Sequence, residues 1–207
     1  MSASGSKSNE RMARFLVDIY KSKQQIRTTQ EVKIMAKTLI AFFSRADENY
    51  FGGAMRYVKV GNTEIVCDIM KDMIPADSFK IEMKNPYSPV YMTCIDQAKK
   101  DLRENARPEL KQMPESIDDY DTIVLAYPNY WGTMPMAVVT FLEHFDFTGK
   151  TILPLCTNEG SGMGSSERDI RKYAPGAKVK KGLSITGSQA ANSKPAVQSW
   201  LSANGLM

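Results

Sequence analysis

From position 37 onward, short apolar runs alternate with stretches whose apolar residues recur every three or four positions, the pattern of βαβ units around a parallel sheet. Residues 38–43 are apolar almost throughout, as befits a strand covered on both faces. The same pattern predicts strands over 78–82, 122–127, 151–156 and 182–186. Helices are predicted over 63–73, where Ile65, Val66, Ile69, Met70 and Met73 share one side, and over 90–107, 136–144, 165–173 and 194–203. Strands and helices in this alternation predict an α/β fold, a three-layer doubly wound five-stranded parallel sheet with right-handed crossovers. Residues 46–60 break the alternation and read as an insertion, a small hairpin turning at Gly52-Gly53.

The first 36 residues behave differently. Residues 1–8 are rich in Ser, Gly and Lys and are expected to be disordered, whereas Met12, Phe15, Leu16, Ile19 and Tyr20 are spaced for one short amphipathic helix. Its apolar face either packs on the body or on a second copy, making a homodimer, or belongs to a loosely attached leader. The expected organisation is an extension over 1–36 and one domain over 37–207, since 207 residues suit a single core. The extension holds seven Lys/Arg against three Asp/Glu, while the domain holds twenty of each, so the net charge of +4 belongs to the extension. A balanced body gives no support to a nucleic-acid partner.

Cys67, Cys94 and Cys156 form no C-x-x-C pair, and with a single histidine no ordinary zinc set can be assembled; a reducing compartment is expected. No apolar run approaches the roughly 20 residues of a membrane crossing. Arg14 and Asp18 interrupt the first apolar stretch, which spoils a signal-peptide core. A cytoplasmic chain without membrane attachment is the expectation.

Three strands end in loops of unusual composition. After the first come Ser44 and Arg45, then the insertion, then Gly61-Asn62-Thr63-Glu64 opening a helix. Without the insertion this is a phosphate cradle: a glycine for close approach, two hydroxyls and a helix N-terminus, although an ordinary capping box reads the same way. The third strand delivers Pro128-Asn129-Tyr130-Trp131-Gly132, two rings able to cover a flat ligand or to fill a subunit interface. The fourth ends in Cys156-Thr157-Asn158-Glu159-Gly160-Ser161-Gly162-Met163-Gly164, whose glycines leave room beside the backbone for a ligand or for simple flexibility. Since all three loops fall on one edge of one sheet, the ligand reading outweighs the three separate bland ones.

In these three loops, in this order, the chain resembles the flavodoxin family, in particular the branch with an insertion in the first phosphate loop before Gly-Asn-Thr, from Lys37 to about Leu201. The resemblance implies the flavodoxin-like fold, strand order 2-1-3-4-5, and bound FMN. Carried over by position, Ser44, Arg45, Gly61, Asn62 and Thr63 would hold the phosphate. Pro128, Asn129, Tyr130, Trp131 and Gly132 would flank the isoalloxazine, and Thr157, Glu159, Gly160, Ser161 and Gly162 would close its other side. Relatives often carry His where this chain has Asn158, so no imidazole role is expected there.

A flavin would carry the redox chemistry itself, so no catalytic residue is assigned. His144 suits the end of a helix, Cys156 reads as a packed thiol, Met134 and Met136 as core, and residues 99–104 as a solvated helix face. The expected function is electron transfer as a redox carrier between partner proteins. The alternative is an FMN-dependent NAD(P)H oxidoreductase acting on quinones or similar small acceptors, for which the insertion would shape a pocket. Carriers usually steer partners with an acidic face, and the neutral body lacks an overall one.

Overall fold

The structure is a computed structural model describing residues 37–207 and Lys21; the amphipathic helix read at residues 12–20 lies outside the described residues. In chain order the elements are β1 (Lys37–Phe42), β2 (Asp47–Phe51), β3 (Ala54–Val58), α1 (Asn62–Lys71), β4 (Asp77–Lys80), α2 (Tyr91–Arg103), β5 (Tyr120–Pro128), α3 (Met136–His144), β6 (Thr151–Asn158), α4 (Ser166–Tyr173), β7 (Lys178–Val179), β8 (Leu183–Thr186), a 3-10 turn over Gly187–Asn192 and α5 (Lys194–Ala203).

The sheet runs β4-β1-β5-β6, with β7 and β8 both alongside β6, and every pairing is parallel. With the hairpin β2–β3 set aside, this is the order 2-1-3-4-5, its fifth strand in two pieces. β7 pairs with Thr151 and Ile152, β8 with Leu155 to Asn158. Between them the Gly182 N–H leaves the ladder and donates to Glu167 Oε1 at 2.7 Å.

The central strands are apolar on both faces because helices cover both. Leu39, Ala41 and Phe43 of the first strand segment join Ile123, Leu125, Phe141 of α3 and Ile170 of α4 in one core. Ile40 and Phe42 face the other way and join Val124, Val66 and Met70 of α1 and Val197 and Leu201 of α5. Each fully buried Leu, Ile or Phe contributes about 1.5–3 kcal/mol. Met134 and Met136 lie in the first core, as expected.

The hairpin turns at Gly52 and Gly53, whose φ of 57° and 97° both require left-handed backbone, and Phe51 pairs with Ala54 across it. Several boundaries moved from expectation. α2 stops at Arg103 because Asn105 takes a φ of 49° and Pro108 follows closely. β5 and β6 run on to Pro128 and Asn158, carrying regular pairing to the rim of the sheet. No helix among the described residues is long and apolar enough to cross a membrane.

Candidate functional site

β1, β5 and β6 are parallel neighbours, so their carboxyl ends share one edge, and β4 and β5 leave β1 on opposite sides there. Such a switch point opens a crevice in α/β sheets. A cleft of about 380 Å³ occupies it. Of the fifteen residues carried over from the sequence, Ser44, Arg45, Asn62, Thr63, Pro128, Asn129, Tyr130, Trp131, Gly132, Thr157, Glu159 and Ser161 line this cleft. Gly61, Gly160 and Gly162 do not line it.

Gly61 acts from behind the wall. A Cβ there would overlap the Arg45 carbonyl oxygen and Ser44 Oγ, so only glycine lets α1 begin against the end of β1. Gly61 is also the N-cap and brings no capping side chain. The Glu64 N–H donates to Ser44 Oγ at 3.1 Å, while the amides of Asn62 and Thr63 find no acceptor among the described residues. An uncapped first turn of this kind favours an anion. Thr63 Oγ1 and Thr157 Oγ1 share a hydrogen bond of 2.7 Å, which joins this wall to the end of β6.

Arg45 is placed differently from expectation. Its guanidinium donates to the carbonyls of Glu48 (2.6 Å), Ser88 (2.9 Å) and Pro89 (2.8 Å), so its terminal N–H groups staple the hairpin to the loop before α2 instead of standing free for a ligand. Its Nε, however, is buried without a partner, as is Asn62 Oδ1.

The aromatic loop is a tight turn closed by Tyr130 N–H to Thr133 O (2.8 Å) and Thr133 N–H to Tyr130 O (3.2 Å). Its central residues, Trp131 and Gly132, have φ of 56° and 83°. A tryptophan in the left-handed region costs on the order of 1–3 kcal/mol, which contacts around the ring offset. The indole N–H donates to Ile95 O at 2.8 Å and Lys99 Nζ sits 4.7 Å from the ring centroid. Trp131 is 47% exposed. Tyr130 goes the other way: its ring lies between Phe43 and Tyr87, with its hydroxyl 3.8 Å from Cys94 Sγ. The two rings therefore form different walls. Burial pushes both the Tyr130 phenol and the Cys94 thiol above their ordinary pKa, so both stay neutral.

Asn129 joins two loops: its Oδ1 accepts from the Gly132 N–H at 2.8 Å and its Nδ2 donates to Gly162 O at 2.9 Å. Asp169 of α4 supports them from below, accepting from Thr133 Oγ1 (2.8 Å) and Ser165 Oγ (2.6 Å). Burial raises its pKa, but these hydrogen bonds and Arg168 outweigh burial and hold the carboxyl below its ordinary value. A Cβ on Gly164, whose φ is 54°, would overlap the Gly132 carbonyl, so the loops touch backbone to backbone.

In the Gly-rich loop, Asn158 is a scaffold. Its Oδ1 accepts from the N–H groups of Gly160 and Gly162, each at 2.9 Å, and its Nδ2 donates to Ser184 Oγ. Glu159 reaches across the mouth, accepting from Gly52 N–H (3.1 Å) at the hairpin tip and from Ser188 N–H (2.6 Å). Beneath them Cys156 is buried, its thiol pushed up to about 12 by desolvation. His144 lies at the end of α3 with its ring edge-on to Phe145.

Sequence reading missed one whole wall. Tyr91, Cys94, Ile95 and Ala98 line the cleft from α2, joined by Asn49 and Tyr50 of the hairpin, Asn158 and Gly187. Their spacing of three, one and three residues is the signature of a single helical face, and that is the signal that marks them.

Residues 54–204 match the family model described as Flavodoxin. No curated protein matches the chain. Among solved structures, a candidate flavoprotein from Bacteroides eggerthii is 23% identical, with 83% of this chain and 99% of that one covered at a TM-score of 0.67. A second, from Bacteroides uniformis, is 23% identical over 81% of this chain and 98% of its own, with a TM-score of 0.63. A flavoprotein in complex with FMN from Lactobacillus acidophilus is 15% identical over 76% and 97%, with a TM-score of 0.54. At these identities the likeness speaks to the fold.

Proposed function

Because this chain belongs to the flavodoxin family, we propose that it binds FMN in the cleft at the carboxyl ends of β1, β5 and β6 and serves as a redox carrier. The observation that carries this reading is a pair of unsatisfied atoms. Arg45 Nε and Asn62 Oδ1 are two of the three side-chain polar atoms buried without a partner among the described residues, and both residues line the cleft. Buried polar groups rarely go unpaired in native proteins, and a ligand bearing acceptors and hydroxyls would satisfy them. The uncapped start of α1 suits a phosphate, and the cleft volume lies in the range of small-molecule sites.

Bound FMN would supply reversible electron transfer. In this reading Ser44, Asn62 and Thr63 hold the phosphate, with Gly61 making room and Arg45 contributing charge from the wall. Trp131 covers one side of the ring, and Thr157, Glu159 and Ser161 close the other, with Gly160 and Gly162 shaping the turn. Free buried cysteines suit a reducing cytoplasm, and the FMN domain is read as residues 37–207.

Purified protein should be yellow and should release FMN on denaturation; a colourless chain that cannot be reconstituted with FMN would sink the proposal. The second reading, an NAD(P)H oxidoreductase, is favoured by the hairpin wall, where Tyr50 stands 6.5 Å from Tyr91 and Glu159 fastens the tip. Steady-state oxidation of NADH and NADPH with a quinone panel separates the two: turnover without an added reductase selects the enzyme, and its absence selects the carrier.

A further inference from the structure

We propose that the hairpin and the outer side of α2 together form a docking face for an acidic redox protein, which is thereby delivered to the rim of the cleft. The inference rests on the carrier reading above.

Exposed apolar side chains are concentrated there. Of the nine large apolar residues exposed among the described residues, eight lie on the hairpin or just after it, on α2 or its N-cap, or on the loop beside α2; Tyr57, at 73%, is the most exposed. Solvated apolar groups are ordinary when scattered, and their clustering marks an interaction site. The two elements form one surface. The Glu48 N–H donates to Pro89 O, the Tyr91 N–H donates to the Glu48 carboxylate at 2.8 Å, and Arg45 bonds Ser88 O and Pro89 O.

Charge decides the partner. On α2 a shallow depression of about 440 Å³ is lined by Lys99, Lys100 and Arg103 against one carboxylate, Asp96, with Leu102 and Trp131 completing it. Lys99 and Lys100 pair with no carboxylate among the described residues, and Arg103 reaches only Glu104, at an exposed 3.4 Å. Trp131 lines both this depression and the cleft. A partner seated on the cations therefore touches the ring that borders the proposed redox site. Apolar groups beside a cationic rim are complementary to an acidic surface. A second copy placed by two-fold symmetry would set like charges against each other, which disfavours self-association through this face.

Binding of the full-length, FMN-loaded chain to an acidic plant-type ferredoxin and to basic cytochrome c can be measured by calorimetry at low and high salt. Expected is salt-sensitive binding to ferredoxin that falls about tenfold or more in the Lys99→Glu/Lys100→Glu variant, is kept in Lys178→Glu/Lys180→Glu, and exceeds binding to cytochrome c. Unchanged affinity in the first variant, absence of binding, preference for cytochrome c, NADPH competing for the same lysines, or a dimer by sedimentation that the first variant dissolves would each overturn the proposal. Circular dichroism and FMN content check that the variants fold. The calorimetry reads association without needing flavin chemistry, so a chain that lacks FMN yet binds ferredoxin fails the carrier reading alone.

Discussion

Glu159 Oε2 accepts the Gly52 N–H at 3.1 Å, so the end of β6 holds the tip of a hairpin 107 residues away across the mouth of the cleft. The same carboxylate takes the Ser188 N–H and hydroxyl. Hydrogen bonds to a charged acceptor contribute about 1.5–3 kcal/mol each when sheltered and less at a half-exposed site such as this. Glu159→Ala should therefore loosen the hairpin before it destabilises the fold. Limited proteolysis should cut at Gly52-Gly53 several-fold faster than in wild type, with little change in melting temperature; equal cutting rates would show that the hairpin is held by other contacts.

Gly61→Ala tests the start of α1. Its Cβ would meet the Arg45 carbonyl and Ser44 Oγ at impossible range, and both lie on backbone or short side chains that yield little. Overpacking of this kind costs about 1–3 kcal/mol. Denaturant unfolding should show that loss, and FMN titration should show at least about tenfold weaker binding, since 1.4 kcal/mol is tenfold.

The two tryptophans should separate binding from packing. Trp131 is on the cleft, whereas Trp200 is a half-buried residue of α5 whose indole donates to Lys181 O at 3.2 Å on another part of the fold. Trp131→Ala should weaken FMN binding, as followed by flavin fluorescence, while Trp200→Ala should lower the melting temperature and leave binding within about twofold. Equal effects on binding would contradict the placement of the ring wall.

Asp169 gives a pH signature. Its carboxyl is held below the ordinary value near 3.9, so the stability it contributes is fully present above about pH 4 and is lost as pH falls through the folded-state pKa. Asp169→Asn, which cannot take the same pair of hydroxyl bonds as an anion, should be about 1–3 kcal/mol less stable at neutral pH. The gap between the two proteins should narrow on acidification below about pH 4. Glu143 and Asp146 also sit below their ordinary values, but they are present in both proteins and cancel in the difference. A gap that stays constant with pH would remove Asp169's ionised form from the account.

The alternation of strands and helices and the hairpin were legible because each rests on a local rule, whereas the strand order was legible only through the family resemblance of the three loops. Unbroken apolar runs such as 38–43 announce strands covered twice, and Gly52-Gly53 announces backbone that other residues avoid. The three loops were legible for the same reason, since parallel strands bring their carboxyl ends to one edge. What stayed hidden depends on distant contacts. Nothing near Arg45 in sequence shows that its guanidinium meets carbonyls at positions 88 and 89. Tyr130 and Trp131 are adjacent, yet one turns inward to Phe43 and the other outward to Lys99, a divergence set by the left-handed φ at Trp131. The helix over 90–107 was legible, but not that Tyr91, Cys94, Ile95 and Ala98 would look onto a cleft, because the hairpin facing them has no fixed position until Arg45 and Glu48 bind it.

The two-piece fifth strand has a bearing on solubility. A long, flat strand at the border of a sheet is a template on which another chain can add its own. Here that border carries two residues of β7 and four of β8, separated by a kink at Lys180, Lys181 and Gly182 whose glycine N–H is already taken by Glu167. Two short segments flanked by lysines offer an incoming strand no continuous row of donors and acceptors. The same break that leaves the sheet irregular guards it against growing from molecule to molecule at high concentration.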